Sequence, residues 1–301
     1  MKCLEIDQHY IKVYQYDQHK AEDCYCGYIF HDQNVCLINE WVSTRIAAYQ
    51  QGFNVLTFKQ RGLFALADVS LFLNITFNAK NLPMPTLIDL SHTIFDGLIT
   101  YKGLPAPIIC DYLSRENSKA FYEAGTEFQI GKIEMVTNTG TYLDCPFHRF
   151  AHGKDLSQIS LEQCAELDAI TIYAKGAGAI GKEHFEGKDL KSKAVVVYTG
   201  WARHWNTPEY FEGHPYLTED AAIYLREAGA KLVGIDSHNI DNTAGRSRPV
   251  HTTLLGAEIL ICEHLCNLDK LPESGFRFSA VPPKFEGAGT FPVRAYASLN
   301  I

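Results

Sequence analysis

The chain has 301 residues, 46% of them apolar and 21% charged, with a formal net charge of -8. That length allows one large hydrophobic core or two smaller ones, and the apolar content excludes an intrinsically disordered chain. The acidic balance, with no local Lys/Arg run to offset it, argues against nucleic acid as a partner, because such binding rests on basic side chains that neutralise phosphates.

The N-terminus, MKCLEIDQHYIKVYQYD, lacks the apolar segment of an export signal. Gly62 to Phe77 is the most apolar N-terminal stretch, yet it falls short of a ~20-residue membrane span and contains Asp68. It reads as a buried helix or strand pair, and no membrane association is expected. The nine cysteines form neither a disulfide framework nor a zinc ribbon, which fits reduced thiols in a cytoplasmic protein. Cys24-x-Cys26 is too closely spaced for a zinc knuckle and has no second pair. At Asn81-Leu-Pro-Met-Pro85 two prolines interrupt any regular element. Residues 1–83 are therefore expected to be an extension of unassigned role, either an accessory domain or a stretch upstream of a true start at Met84. Residues 84–301 carry the readable chemistry.

Within that part, TNTGTYLDCPFH (137–148) is the first stretch with chemical content. Read as a strand, it places Asn138, Gly140, Tyr142 and Asp144 on one face, because side chains alternate along an extended chain. Pro146 ends the strand and leaves His148 free to fold back toward Asp144. An acid/base or metal site and a plain strand end with turn hydrogen bonds are both compatible with this pattern. Further on, AVVVY (194–198) suits a buried strand, and the aromatic residues Trp201, Trp205, Phe211 and Tyr216 follow it. Thr218 can cap a helix through Glu227, with Gly229 at its C-terminal turn, and KLVGID (231–236) returns as a strand. Arg246 and Arg248 sit in a polar loop, suited either to a substrate carboxylate or to ordinary surface pairs. His251 then opens a short helix that Gly256 ends. The next strand puts Ile259, Ile261, Glu263 and Leu265 on one face, so Glu263 projects among aliphatic side chains and needs a cation or a hydrogen-bond partner.

These segments together resemble the cyclase family of metal-dependent hydrolases, which includes bacterial kynurenine formamidase and isatin hydrolase. The family motif His-x-Gly-Thr-His-x-Asp-x-Pro-x-His is similar to Asn138-Thr-Gly-Thr-Tyr142-Leu-Asp144-Cys-Pro-Phe-His148. The similarity begins at LIDLSHTI (87–94) and ends at Asn267-Leu-Asp-Lys-Leu-Pro272. It implies a mixed α/β sheet curled into a barrel-like layer, and a homodimer. It also implies that Asp144, His251 and Glu263 hold a divalent metal, that His148 is the general base, and that the substrate is a small aromatic amide or lactam. Asn138 and Tyr142 stand where the family has histidine ligands. An Asn amide is a weak neutral donor, and a phenol with a reference pKa near ~10 is costly to deprotonate, so one Zn²⁺ or Mn²⁺ is expected. Trp201, Trp205 and Arg246 are the candidate substrate contacts. The alternatives are a metal-independent cyclase, dehydratase or isomerase using Tyr142, Asp144 and His148, or a binder without turnover. His92, His152 and His204 read as packing or surface residues.

Overall fold

The computed structural model describes residues 85–299, together with the backbone of five N-terminal strands. The chain divides into two compact units, Met1–Leu82 and Pro83–Ile301. In the first unit, Lys2–Asp7, Tyr10–Tyr16 and Cys24–Gly27 form an antiparallel sheet, and Leu37–Asn39 pairs in parallel with Leu56–Phe58. Gly62–Phe77, Met84 and the side chains of Cys24 and Cys26 lie outside the described residues. No helix among the described residues is long and apolar enough to cross a membrane.

The second unit is built on a nine-stranded mixed sheet. Its strands are β1 (Thr86–Asp89), β2 (Tyr142–Asp144), β3 (Leu167–Tyr173), β4 (Ala194–Tyr198), β5 (Leu232–Ile235), β6 (Leu260–Glu263), β7 (Ser274–Ser279), β8 (Thr290–Pro292) and β9 (Tyr296–Leu299). The order is β8-β2-β6-β5-β4-β3-β7-β9-β1, with β3 to β6 parallel and the flanking strands antiparallel. The run AVVVY is buried because parallel strands are covered on both faces. Leu143, Cys262, Leu232, Val196, Ala169, Phe278 and Ala297, from seven different strands, meet in one cluster, so the sheet curls around them as a half-barrel. On the outer face Val195, Val233 and Ile261 pack against α1 (Glu219–Glu227) and α2 (Pro249–Gly256) through Ala222, Leu225, Val250 and Leu254. The expected α/β architecture is present, and Thr218 is the residue that precedes α1.

Two local expectations need correction. The extended segment is only three residues long, because Gly140 turns the chain with a φ of +68° and Thr139 bonds back to the Val136 carbonyl at 2.7 Å. Tyr142 and Asp144 share a face as expected, but Asn138 and Gly140 are not part of that alternation. The second correction concerns Leu265. His264 adopts a left-handed φ of 57°, which ends the strand and swings Leu265 into the inner core, away from the face that carries Glu263.

Sheet register assembles the site. Glu263 lies opposite Tyr142, and Asp144 lies between Ile261 on one side and Thr290 on the other. Gly289 precedes Thr290 at the closest backbone approach: a Cβ there would sit 2.4 Å from the His148 nitrogen and 2.5 Å from its Cα. Backbone cannot move aside as a flexible side chain can. Gly289→Ala should therefore lower stability by about 1–3 kcal/mol in urea denaturation, whereas Gly178→Ala, whose added Cβ meets nothing within 4 Å, should not. Equal midpoints for the two variants would contradict this packing.

Candidate active site

A cavity of about 630 Å³ opens beside α2, with buried Tyr142, His251 and Glu263 inside and exposed His148, Arg149 and Arg246 at its mouth. Asp144 is fully buried, as is Glu263. His251 Nε2 lies 3.7 Å from Asp144 Oδ2 and 3.8 Å from Glu263 Oε1, both beyond hydrogen-bond reach. Donor atoms of Asp144, His148 and His251 lie within 4.8 Å of one another, a spacing that can hold a metal ion.

The helix that carries His251 is set by Asp241. Pro249 begins α2, and the Asp241 carboxylate accepts the Val250 and His251 backbone N–H groups at 2.8 and 3.0 Å. These are donors that the first helical turn leaves unpaired, and a carboxylate there also complements the helix dipole. The same carboxylate lies 2.6 Å from His251 Nδ1. In neutral His251 this contact puts the proton on Nδ1 and leaves the Nε2 lone pair facing Asp144 and Glu263.

Glu263 is held from two sides. Its Oε1 accepts the Ile240 N–H at 2.6 Å, and its Oε2 accepts the Tyr142 hydroxyl at 2.5 Å. Burial pushes its carboxyl up to about 7 against the opposing pull of His251. Burial would lower His251, but the surrounding Asp144, Asp241 and Glu263 carboxylates raise it to about 10. Burial, with the Glu263 charge beside it, lifts Tyr142 well above the ordinary phenol range. Tyr142 is thus a neutral phenol here, its hydroxyl donating to Glu263.

Asp144 is the exception to this saturation. Its Oδ1 accepts the Thr290 hydroxyl, while Oδ2 is buried without a hydrogen-bond partner. Thr290 Oγ1 also lies 2.8 Å from His148 Nδ1. Since the threonine proton goes to the carboxylate, a neutral His148 donates from Nδ1 and keeps Nε2 as its basic atom. Its side chain is 34% exposed.

The remaining sequence candidates are distributed differently. Asn138 and Arg246 line the cavity. Trp201 and Trp205 lie outside its wall: Trp201 Nε1 donates to the Tyr210 carbonyl at 3.0 Å, and Trp205 stacks on His92 with ring centroids 4.1 Å apart. Their loop packs inward on Tyr210. Arg248 also lines the cavity, its guanidinium donating to the carbonyls of Gly245 and Ser247. His92, stacked and largely buried, is pushed down to about 4 by burial. Asp241, Thr290 and Tyr101 escaped the sequence reading. Asp241 lies eight positions before the helix it caps, outside local capping spacing, and Thr290 reaches Asp144 only through strand pairing.

Residues 88–242 match the family model described as "Putative cyclase". The chain is 32% identical over 210 residues to kynurenine formamidase of Geobacillus thermodenitrificans, spanning 69% of this chain and 95% of that one. It is 28% identical over 209 residues to the enzyme of the same name from Bacillus cereus, with the same coverage. Among solved structures it is similar to isatin hydrolase A from Labrenzia aggregata, with a TM-score of 0.61, 21% identity and coverage of 77% of this chain and 100% of that one. A second neighbour, described as a potential metal-dependent hydrolase with cyclase activity, gives a TM-score of 0.59 at 23% identity, covering 71% and 98%.

The raised pKa of His251 makes a stability prediction for chelator-treated protein. A folded value above the ordinary ~6.5 contributes stability in full below ~6.5 and loses it as pH rises through about 10. The stability gap between wild type and His251→Gln, measured by urea denaturation from pH 6 to pH 10, should narrow with rising pH. A constant or widening gap would show that His251 is not held by the carboxylates.

Proposed function

Because the chain belongs to the Cyclase family, we propose that residues 84–301 form a hydrolase domain that cleaves an amide or lactam carbon–nitrogen bond on a small aromatic substrate. The kynurenine formamidase relatives support the reaction class. The observation that carries the site assignment is the unpartnered, fully buried Oδ2 of Asp144 facing the free nitrogen of His251. A buried polar atom without a partner is costly. The donor set answers that cost if a cation binds: Asp144, His251 and Glu263 supply two carboxylates and one imidazole, which suits one Zn²⁺ or Mn²⁺. Bound there, the cation would supply Lewis acidity, polarising a carbonyl and lowering the pKa of water toward ~7.

The chain's own residues do the rest. His148, fixed by Thr290 through Nδ1, takes a proton from water at Nε2 and returns it to the leaving nitrogen. Asn138 on the cavity wall offers an amide to the substrate's polar edge, and Arg246 at the mouth offers a guanidinium to a carboxylate. Tyr142 serves the site by holding Glu263. The hairpin Ile108–Leu113 and Ile130–Glu134 exposes Ile108, Tyr112 and Ile133, which supports a homodimer contact. Five free cysteines among the described residues fit a reducing, cytoplasmic setting.

Hydrolysis of an N-formyl-arylamine by the purified full chain tests this reading. Chelation should abolish turnover and Mn²⁺ or Zn²⁺ should restore it, while His148→Ala should lower kcat by about 10²–10⁴-fold. Turnover that survives chelation, or a His148→Ala variant as active as wild type, would refute it.

A further inference from the structure

Asn239, Ile240 and Asp241 are consecutive residues, and each of them ends on the same two side chains. Asp241 binds His251 Nδ1 at 2.6 Å, and the Ile240 N–H binds Glu263 Oε1 at 2.6 Å. Asn239 reaches the other oxygen of Glu263 indirectly. Its Oδ1 accepts the Asp241 N–H at 2.9 Å, which fixes the amide orientation and directs Nδ2 to the Tyr101 hydroxyl at 2.9 Å. Tyr101 lies 2.8 Å from the Tyr142 hydroxyl, which in turn donates to Glu263 Oε2. The shortest route thus runs Asn239 to Tyr101 to Tyr142 to Glu263, and the Tyr101 hydroxyl also lies 3.4 Å from Glu263 Oε2 itself.

Tyr101 comes from a loop that is pinned on both sides of it. Thr100 Oγ1 accepts the Gly140 N–H at 2.9 Å, and Lys102 pairs with Glu212 at 2.8 Å. Between these anchors the Tyr101 ring lies 4.5 Å from His238 and 5.5 Å from His264, centroid to centroid. Its hydroxyl also has the His238 carbonyl at 3.0 Å as an alternative acceptor. Without the Tyr101 oxygen, Asn239 Nδ2 loses its acceptor and Tyr142 loses the neighbour that orients its proton toward Glu263.

We infer that Tyr101 is a positioning residue which, acting through the Tyr142 hydroxyl, turns Glu263 so that Oε1 faces His251 and the cation site. This inference rests on the cation-binding reading of the same cluster. Ligands to metals depend on such outer hydrogen bonds, and losing one typically weakens affinity by about 10–100-fold.

The test is isothermal titration of chelator-stripped full chain with Mn²⁺, in a double-mutant cycle of Tyr101→Phe and Tyr142→Phe. Tyr101→Phe should weaken Mn²⁺ binding about tenfold or more. Added to Tyr142→Phe, the same substitution should have a clearly smaller effect, because only the longer 3.4 Å contact of Tyr101 with Glu263 Oε2 is then left to lose. A Tyr101→Phe affinity within about twofold of wild type, or the same loss in both backgrounds, overturns the inference while the cation site stands. A wild type that shows no saturable Mn²⁺ binding overturns the cation reading, and the inference with it. Kinetics give an independent check: Tyr101→Phe should lower kcat for the N-formyl-arylamine with KM nearly unchanged. A rise in KM alone would make Tyr101 a substrate contact and overturn the positioning role.

Discussion

Three buried carboxylates surround one buried imidazole, and the architecture of the site follows from making that arrangement tolerable. Asp144, Asp241 and Glu263 outnumber the positive charge that His251 can supply even when protonated. Each carboxylate removed from water needs hydrogen bonds or a counter-charge, and an unmatched one costs several kcal/mol. Asp241 is matched by two helix N–H groups and an imidazole, and Glu263 by a backbone N–H and a phenol. Asp144 is matched on one oxygen by Thr290 and left open on the other. The open oxygen faces His251 Nε2 at 3.7 Å, a pairing of carboxylate and imidazole that suits a cation.

The half-barrel supplies this geometry through strand register more than through any one motif. Placing β2 between β6 and β8 sets Glu263 beside Tyr142 and Thr290 beside Asp144, and the helices on the outer face bring His251 down onto that pair. Departures from regular structure occur where the site needs them. Gly140 turns the chain just before Tyr142, His264 ends β6 just after Glu263, and Gly289 lets β8 approach His148. The Tyr142 side chain is accommodated in the same way: its hydroxyl occupies one oxygen of Glu263, and a second phenol supports it from the cavity wall.

Much of this was legible in the sequence because it depends on local periodicity. The β-branched run AVVVY and the helix beginning after Thr218 rest on patterns within a few residues, whereas the grouping of Asp144, His148, His251 and Glu263 rests on the family resemblance. What escaped depends on contacts between distant segments. Thr290 lies 146 positions from Asp144, and Tyr101 lies 138 positions from Asn239. Threonine and tyrosine have no distinguishing sequence context when the partner is fixed by tertiary pairing. The strand is shorter than the alternation over 137–144 predicts, because Gly140 imposes a turn just before Tyr142. Trp201 and Trp205 are aromatic candidates for a substrate ring by sequence, and their loop folds them against Tyr210 and His92.

The proposed cation site joins the open oxygen of Asp144 to His251 and Glu263. Anomalous diffraction from crystals soaked in Mn²⁺ locates such an ion directly. The account predicts one strong anomalous peak per chain, within coordination distance of Asp144 Oδ2, His251 Nε2 and Glu263 Oε1. A peak elsewhere, or an ordered water in that position with no anomalous signal at saturating Mn²⁺, would contradict it.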